Sequence, residues 1–256
     1  MFYTKNLRTN NEIKHCFFSR NNGTSKGIYK SLNCGIGSKD SKDNIQNNLN
    51  LVSKEFNIKK SNLILMNQTH SNKVEVINKI TNVARINCDA MLTKNNDIAL
   101  CVLTADCVPI LVFERNKKII GCIHAGWKGA INGIIENFLK RIIEMGGNLK
   151  ELVVSIGPCI AKQSYEVKKD FYLEFIKRSH HNESFFSNNE GKTYNFDLRG
   201  FVTKKFEEFG INEIENVFLD TFSSNNDYFS HRRAKKLGHD DYGRCISVIK
   251  KIPFQN

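Results

Sequence analysis

The chain has 256 residues, is 40% hydrophobic and carries a formal net charge of +12 with a pI near 9.3. That length and apolar content suffice for a sizeable core, and one domain spanning 1–256 is the default expectation. The lysines and arginines are scattered among Asn and Ile with no aromatic-studded basic strand between them, so the charge reads as solvated surface and not as a nucleic-acid face. Eight cysteines, at 16, 34, 88, 101, 107, 122, 159 and 245, sit mainly in apolar runs and read as buried free thiols. No stretch approaches the roughly 20 apolar residues of a membrane span, and the opening "MFYTKNLRTNNEIKHCFF" lacks the apolar core of a signal peptide. The expectation is a reduced, cytoplasmic chain that engages neither nucleic acid nor membrane; its oligomeric state is not legible.

Taken in order, "KHCFFSRNNGTSKGIYKSLNCGIG" alternates short apolar runs with Gly and Asn and reads as hairpin and loop. Ile45, Leu49, Val52 and Phe56 recur at helical spacing after Asp43. "LILMNQTHSNKVEVIN" reads as two strands flanking a polar connection that carries His70. "DIALCVLTADCVPILVFERNKKIIGCIHAGW" holds three β-like runs, two almost wholly apolar, as expected of strands covered on both faces. From Ile131 to Ile143 an unbroken helical pattern follows, stopped by Gly146 and Gly147. "LVVSIGPCI" reads as a buried strand, "VKKDFYLEFIKRSH" as a helix and "HHNESFFSNNEGKTYNF" as an irregular connection. Asp197 is placed to cap a helix bearing Phe201, Val202, Phe206 and Phe209 and ending at Gly210. "IENVFLDTF" and "CISVIKKI" read as closing strands on either side of a charged loop, "SHRRAKKLGHDDYGR". This mixed order predicts an α+β fold with mixed β-sheets inside and helices outside.

A turn centred between Arg115 and Asn116 would set Cys107 directly opposite His124, on one face of a hairpin. A thiol and an imidazole so placed suit two ligands of one metal, and His70, among small polar neighbours, is the candidate third. Two His and one Cys leave a tetrahedral position open for water or substrate, the arrangement of a catalytic zinc site. Asp106 is a candidate to orient His70 or His124 from behind, or else a turn cap. Each of the three ligand candidates also has a plain structural reading, as buried thiol, satisfied histidine or turn residue. The two glycines around Trp127 in "HAGWKG" weigh against that, because they let the backbone approach something closely.

The motifs "NQTHS", "DAMLT", "TADCVPI", "HAGWKG", "IGPCI…YEV" and "FSHRR…GR", in this order, closely resemble the YfiH-like laccase-domain proteins over roughly residues 17–246. That family has been labelled polyphenol oxidase and later purine nucleoside phosphorylase with adenosine deaminase activity. The resemblance implies a three-layer α+β fold and a zinc site, with copper as the alternative metal, held by His70, Cys107 and His124. The substrates it implies are purine nucleosides (adenosine, inosine, methylthioadenosine) and phosphate. Arg20, Lys128, Arg232, Arg233 and Arg244 are the cations available for charge-assisted contacts to such substrates. The chain departs from the family pattern at Asp220, where a cysteine often stands, and in the longer 231–244 segment. Two other chemistries fit the same residues: a Cys107–His thiol hydrolase acting on cell-wall peptide precursors, and copper-dependent phenol oxidation. One His₂Cys set is too small for the several coppers of the latter.

Overall fold

The computed structural model describes residues 1–79, 86–223 and 227–252. In chain order the helices are α1 (Lys5–Arg8), α2 (Lys42–Glu55), α3 (Trp127–Ile131), α4 (Ile134–Glu144), α5 (Lys169–Arg178), α6 (Leu198–Glu207) and α7 (His231–Lys236). The strands are β1 (Ile13–Phe17), β2 (Leu63–Asn67), β3 (Val74–Val76), β4 (Ile86–Asn87), β5 (Ala90–Thr93), β6 (Ala99–Thr104) and β7 (Val108–Glu114). They continue as β8 (Ile119–Ala125), β9 (Leu152–Ile156), β10 (Glu166–Lys168), β11 (Phe186–Asn189), β12 (Thr193–Phe196), β13 (Ile214–Asn216) and β14 (Cys245–Lys251).

Two mixed sheets form the inside. One runs β1-β14-β6-β2-β4 and the other β13-β9-β7-β8-β5-β3. Leu111 and Phe113 of β7 and Ile120 and Cys122 of β8 meet Leu100 and Val102 of β6 and Ile249 of β14 between the sheets. The alternate residues of the same strands, Ile110, Val112, Ile119 and Ile123, pack under Ile135, Phe138 and Leu139 of α4 and Phe201, Val202 and Phe206 of α6. The period of two along a strand therefore feeds two different apolar layers, which is why β7 and β8 read as continuous apolar runs. On the other side α2 lays Ile45, Leu49 and Val52 on Cys101 and Val248. Counting the stacked sheets as one inner layer, this is the α+β arrangement with helices outside that the sequence predicts.

Four local expectations are corrected. The helix after Trp127 is broken at Gly133, whose left-handed φ of 87° separates α3 from α4. The "irregular" 180–196 stretch is a 3₁₀ segment followed by the β11–β12 hairpin. "IENVFLDTF" forms only the three-residue β13. The charged 230–244 loop contains α7, capped by Ser230, whose hydroxyl accepts a hydrogen bond from the Arg233 amide; four cations in six residues had masked its helical character. By contrast, Asp197 caps α6 as expected, accepting from the Gly200 amide at 2.8 Å.

Candidate metal centre at a junction of two cavities

The site lies at the end of the β7–β8 hairpin. Pro109, not Cys107, stands opposite His124, so the turn centre falls one residue later than the sequence suggested, and Cys107 precedes β7. The error is harmless because it displaces the pairing by two positions, which returns both side chains to the same face. His70 enters from the loop after β2, with a left-handed φ of 57°. The donor atoms of His70, Cys107 and His124 all lie within 4.8 Å of one another. Cys107 Sγ is 3.7 Å from His70 Nε2, and the two imidazoles meet edge to face with centroids 4.8 Å apart.

Gly126 explains why the backbone at "HAGW" is bare: a Cβ there would stand 2.6 Å from His70 Cδ2 and 3.2 Å from Cys107 Sγ. Gly129 has a similar role one turn on, since its Cβ would stand 2.8 Å from the Ser71 carbonyl oxygen. The close approach that the glycines permit is thus of the site to its own backbone.

Asp89, at the start of β5, was not among the residues singled out from the sequence, yet it ties the centre together. It is fully buried. Its Oδ1 accepts from the His70 amide at 3.0 Å and from His124 Nδ1 at 2.8 Å. Its Oδ2 accepts from the Ser71 amide at 2.7 Å, the Ser71 hydroxyl at 2.6 Å and the Thr69 amide at 3.2 Å. One carboxylate therefore fixes the loop carrying His70 and turns the other nitrogen of His124 towards the centre. Burial alone would raise the Asp89 pKa, but the hydrogen bonds from His124 and Ser71 hold its carboxyl well below the usual carboxylate range. The signal was an acid at the head of the apolar run "DAMLT".

Burial likewise pushes the Cys107 thiol up, but the charge and hydrogen bond of His124, followed by those of His70, outweigh it and lower it. The converse holds for His124: burial pushes it down, while the Cys107 charge and the Asp89 hydrogen bond raise it above its ordinary value. A metal ion would displace the proton that His124 and Cys107 share, leaving a thiolate and neutral imidazoles as donors, so this donor set fits a zinc-type or copper-type ion.

Asp106 does not orient either histidine. Held at a left-handed φ of 87°, it accepts from the Thr221 hydroxyl at 2.7 Å, the Ser230 hydroxyl at 3.0 Å and the Arg232 amide at 2.6 Å. It anchors the start of α7 beside Cys107. Asp220, the departure from the family pattern, accepts from the Ala161 amide at 3.1 Å and the Ser164 hydroxyl at 2.6 Å, and it lines neither of the cavities that meet at His70 and Cys107.

Two cavities meet at His70 and Cys107. One, of about 370 Å³, is lined by Gln68, His124, His231, Tyr242 and Arg244. The other, of about 610 Å³, is walled by Trp127, Tyr165 and Phe171 and edged by His231 and Arg232. Of the five cations nominated from the sequence, Arg232 and Arg244 line these cavities, and three do not. Arg233 donates to the carbonyls of Thr221 and Phe222 and is bound up in its own loop. Arg20 donates to the Lys30 carbonyl and lies over Phe229, 4.4 Å from its centroid. Lys128 is exposed, with its ammonium 5.5 Å from the Trp127 ring.

The model of the family described as multi-copper polyphenol oxidoreductase laccase matches residues 14–251. A protein of Rickettsia prowazekii named purine nucleoside phosphorylase is 37% identical over 193 residues, covering 75% of this chain and 79% of its own length. One of the same name from Bacteroides thetaiotaomicron is 29% identical and covers 96% of this chain and 94% of its own. Among solved structures, a Neisseria meningitidis protein superimposes with a TM-score of 0.84 at 25% identity, covering 95% of this chain and 96% of its own. The Bacillus licheniformis protein YfiH does so at 0.85 and 24% identity, covering 93% and 92%. The chain therefore belongs to the multi-copper polyphenol oxidoreductase laccase family, the laccase-like family of YfiH, whose relatives named above are enzymes by name.

Proposed function

We propose that the protein is a zinc-dependent purine nucleoside phosphorylase that cleaves adenosine, inosine or methylthioadenosine with phosphate and has adenosine deaminase side activity. The observation that carries the reading is the His70, Cys107 and His124 cluster at the seam between an aromatic-walled cavity and one lined by Arg244. A purine and a phosphate differ in this same way, one flat with ring faces that stack on aromatic side chains, the other small and anionic. Zinc held by the three side chains would supply a Lewis acid at that seam. The protein's own part is placement. Trp127, Tyr165 and Phe171 offer ring faces and edges to a base, while the Arg244 and Arg232 guanidiniums offer charge-assisted hydrogen bonds to phosphate and ribose oxygens. Asp89 holds the His70 amide and the His124 imidazole with one carboxylate oxygen. The names of the relatives support the same substrate class.

The test pairs metal content by mass spectrometry with chromatography of adenosine incubated with and without phosphate, against Cys107→Ala. Near-stoichiometric zinc and adenine appearing only with phosphate, both lost in the variant, support the reading; metal-free protein that leaves adenosine intact ends it. One observation favours a second reading, the lowered Cys107 thiol beside a raised His124. A thiol hydrolase built on that pair would lose activity on alkylation and be indifferent to chelators. Copper-dependent phenol oxidation is the weakest reading, because a single His₂Cys group is found among the described residues.

A further inference from the structure

Phosphorolysis needs a proton for the departing base, and the residues assigned so far do not provide one. Asp89 and Asp106 are occupied by several donors each. Glu166, at the rim of the larger cavity, accepts from the Thr193 hydroxyl and is exposed. Burial pushes the Tyr165 phenol far above neutrality, and arginines keep their protons. His231 differs from all of these. It is the one side chain besides His70, Cys107 and the backbone-dominated Ala105 that lines both cavities. Its ring nitrogens make no hydrogen bond among the described residues, and its ring contact is with Tyr242, edge on at 4.9 Å.

The backbone around it is the opposite of free. Ser230 and Arg232, the residues on either side, are both bonded to Asp106, immediately before Cys107. The imidazole is thus held at its root beside the metal-binding cluster and left available at its tip, as a proton-transferring group must be.

We propose that His231 is the catalytic acid that hands a proton to the departing purine. The inference rests on the phosphorylase reading above. In the step, a phosphate oxygen bonds to the ribose C1′ and the C1′–N9 bond breaks, its electron pair passing to the purine. The imidazolium of His231 gives its proton to a ring nitrogen of the base. HPO₄²⁻ loses its own proton on becoming the sugar phosphate, and His231 regains one from it or from solvent, so charge and protons balance. Burial lowers the His231 pKa below its ordinary value; of the charged groups facing it, Asp106 opposes that shift by favouring the protonated form, and Lys235, Arg232 and Arg244 reinforce it, while Tyr242 covers one edge. An incoming phosphate dianion would shift that balance towards the imidazolium at the moment it is needed.

The test is steady-state phosphorolysis of adenosine by the metal-loaded protein and by His231→Gln across pH, with zinc content measured on each. The expected result is a fall in kcat of about 100-fold or more, the low end for removing a general acid. Zinc content should be unchanged, and the limb along which the wild-type rate falls as pH rises through the imidazole range should be lost. Added imidazole should restore part of the rate to His231→Ala. An unchanged kcat and pH profile in His231→Gln would overturn the inference while leaving the phosphorylase reading intact. So would a loss of rate that follows loss of zinc and is not rescued by imidazole. If the wild-type protein releases no adenine with phosphate, both fall together.

Discussion

Asp89 and Asp106 are both buried carboxylates at strand ends, each accepting several hydrogen bonds within the same site, but they hold different kinds of structure. Asp89 binds a loop and a side chain that belong to the sheet framework, and every group it touches leads to a histidine of the candidate metal centre. Asp106 binds the hydroxyl of Thr221 and the start of a six-residue helix, groups that lead to His231 and Arg232 at the cavity rim. The first side of the site holds the candidate metal ligands in the sheet framework, and the second is an arm whose start Asp106 fixes beside Cys107. Metal affinity and turnover are therefore expected to separate under mutation.

The largest effect should come from Asp89→Ala. It strands the amides of Thr69, His70 and Ser71 and releases His124, so unfolding free energy should fall by about 3–5 kcal/mol, as for breaking a buried charged pair. Zinc affinity, read by chelator competition, should fall about 10- to 100-fold. Unchanged affinity would mean that the histidines align without it, and the contrast between the two aspartates would collapse.

A control comes from a third buried titratable group away from the site. His15 is 2% exposed, and its Nε2 accepts the Thr4 amide at 2.9 Å. Burial, only partly offset by Glu215, lowers its pKa from 6.5 to about 4. Because the unfolded chain binds the proton more readily, the stability from this group is complete above pH 6.5 and is lost as pH falls towards 4, by about 3 kcal/mol in all. Chemical denaturation of the wild type and His15→Gln across that window should show a slope in the first and a weaker one in the second. Equal slopes would assign acid lability to the site instead.

Asp106→Asn should have the smallest effect on stability, about 1–3 kcal/mol for one or two imperfect replacements among three hydrogen bonds. Its signature is a reduced kcat with zinc affinity preserved. Weakened zinc binding in this variant would show that the arm and the framework are one unit.

The contrast also marks what the sequence could reveal. The framework side was legible: apolar runs of seven residues, a polar turn and an isolated histidine specify the face on which Cys107, His124 and His70 meet, and the period-two geometry tolerates an error in the turn centre. The cations were not legible. Nothing in "SHRRAKK" distinguishes Arg232, on a cavity wall, from Arg233, spent on carbonyls of its own loop, because helical phase decides between neighbours and α7 is too short and too charged to show it. The role of Asp89 stayed hidden for a related reason: it reaches His124 across 35 positions of sequence, and only the pairing of β5 with β8 brings them together.

The hairpin that presents Cys107 and His124 has a further consequence for anyone wishing to build on this protein. Its turn, residues 115–118, lies at the opposite end of two seven-residue strands from the site, about 23 Å away at roughly 3.3 Å per residue. A peptide tag or reporter grafted into that turn would leave the register beyond it untouched. One residue inserted within β7 would instead reverse every side chain between the insertion and the turn, exchanging the helix-facing and sheet-facing cores. The tip of the hairpin is an attachment point, and its shaft is a ruler that cannot be lengthened.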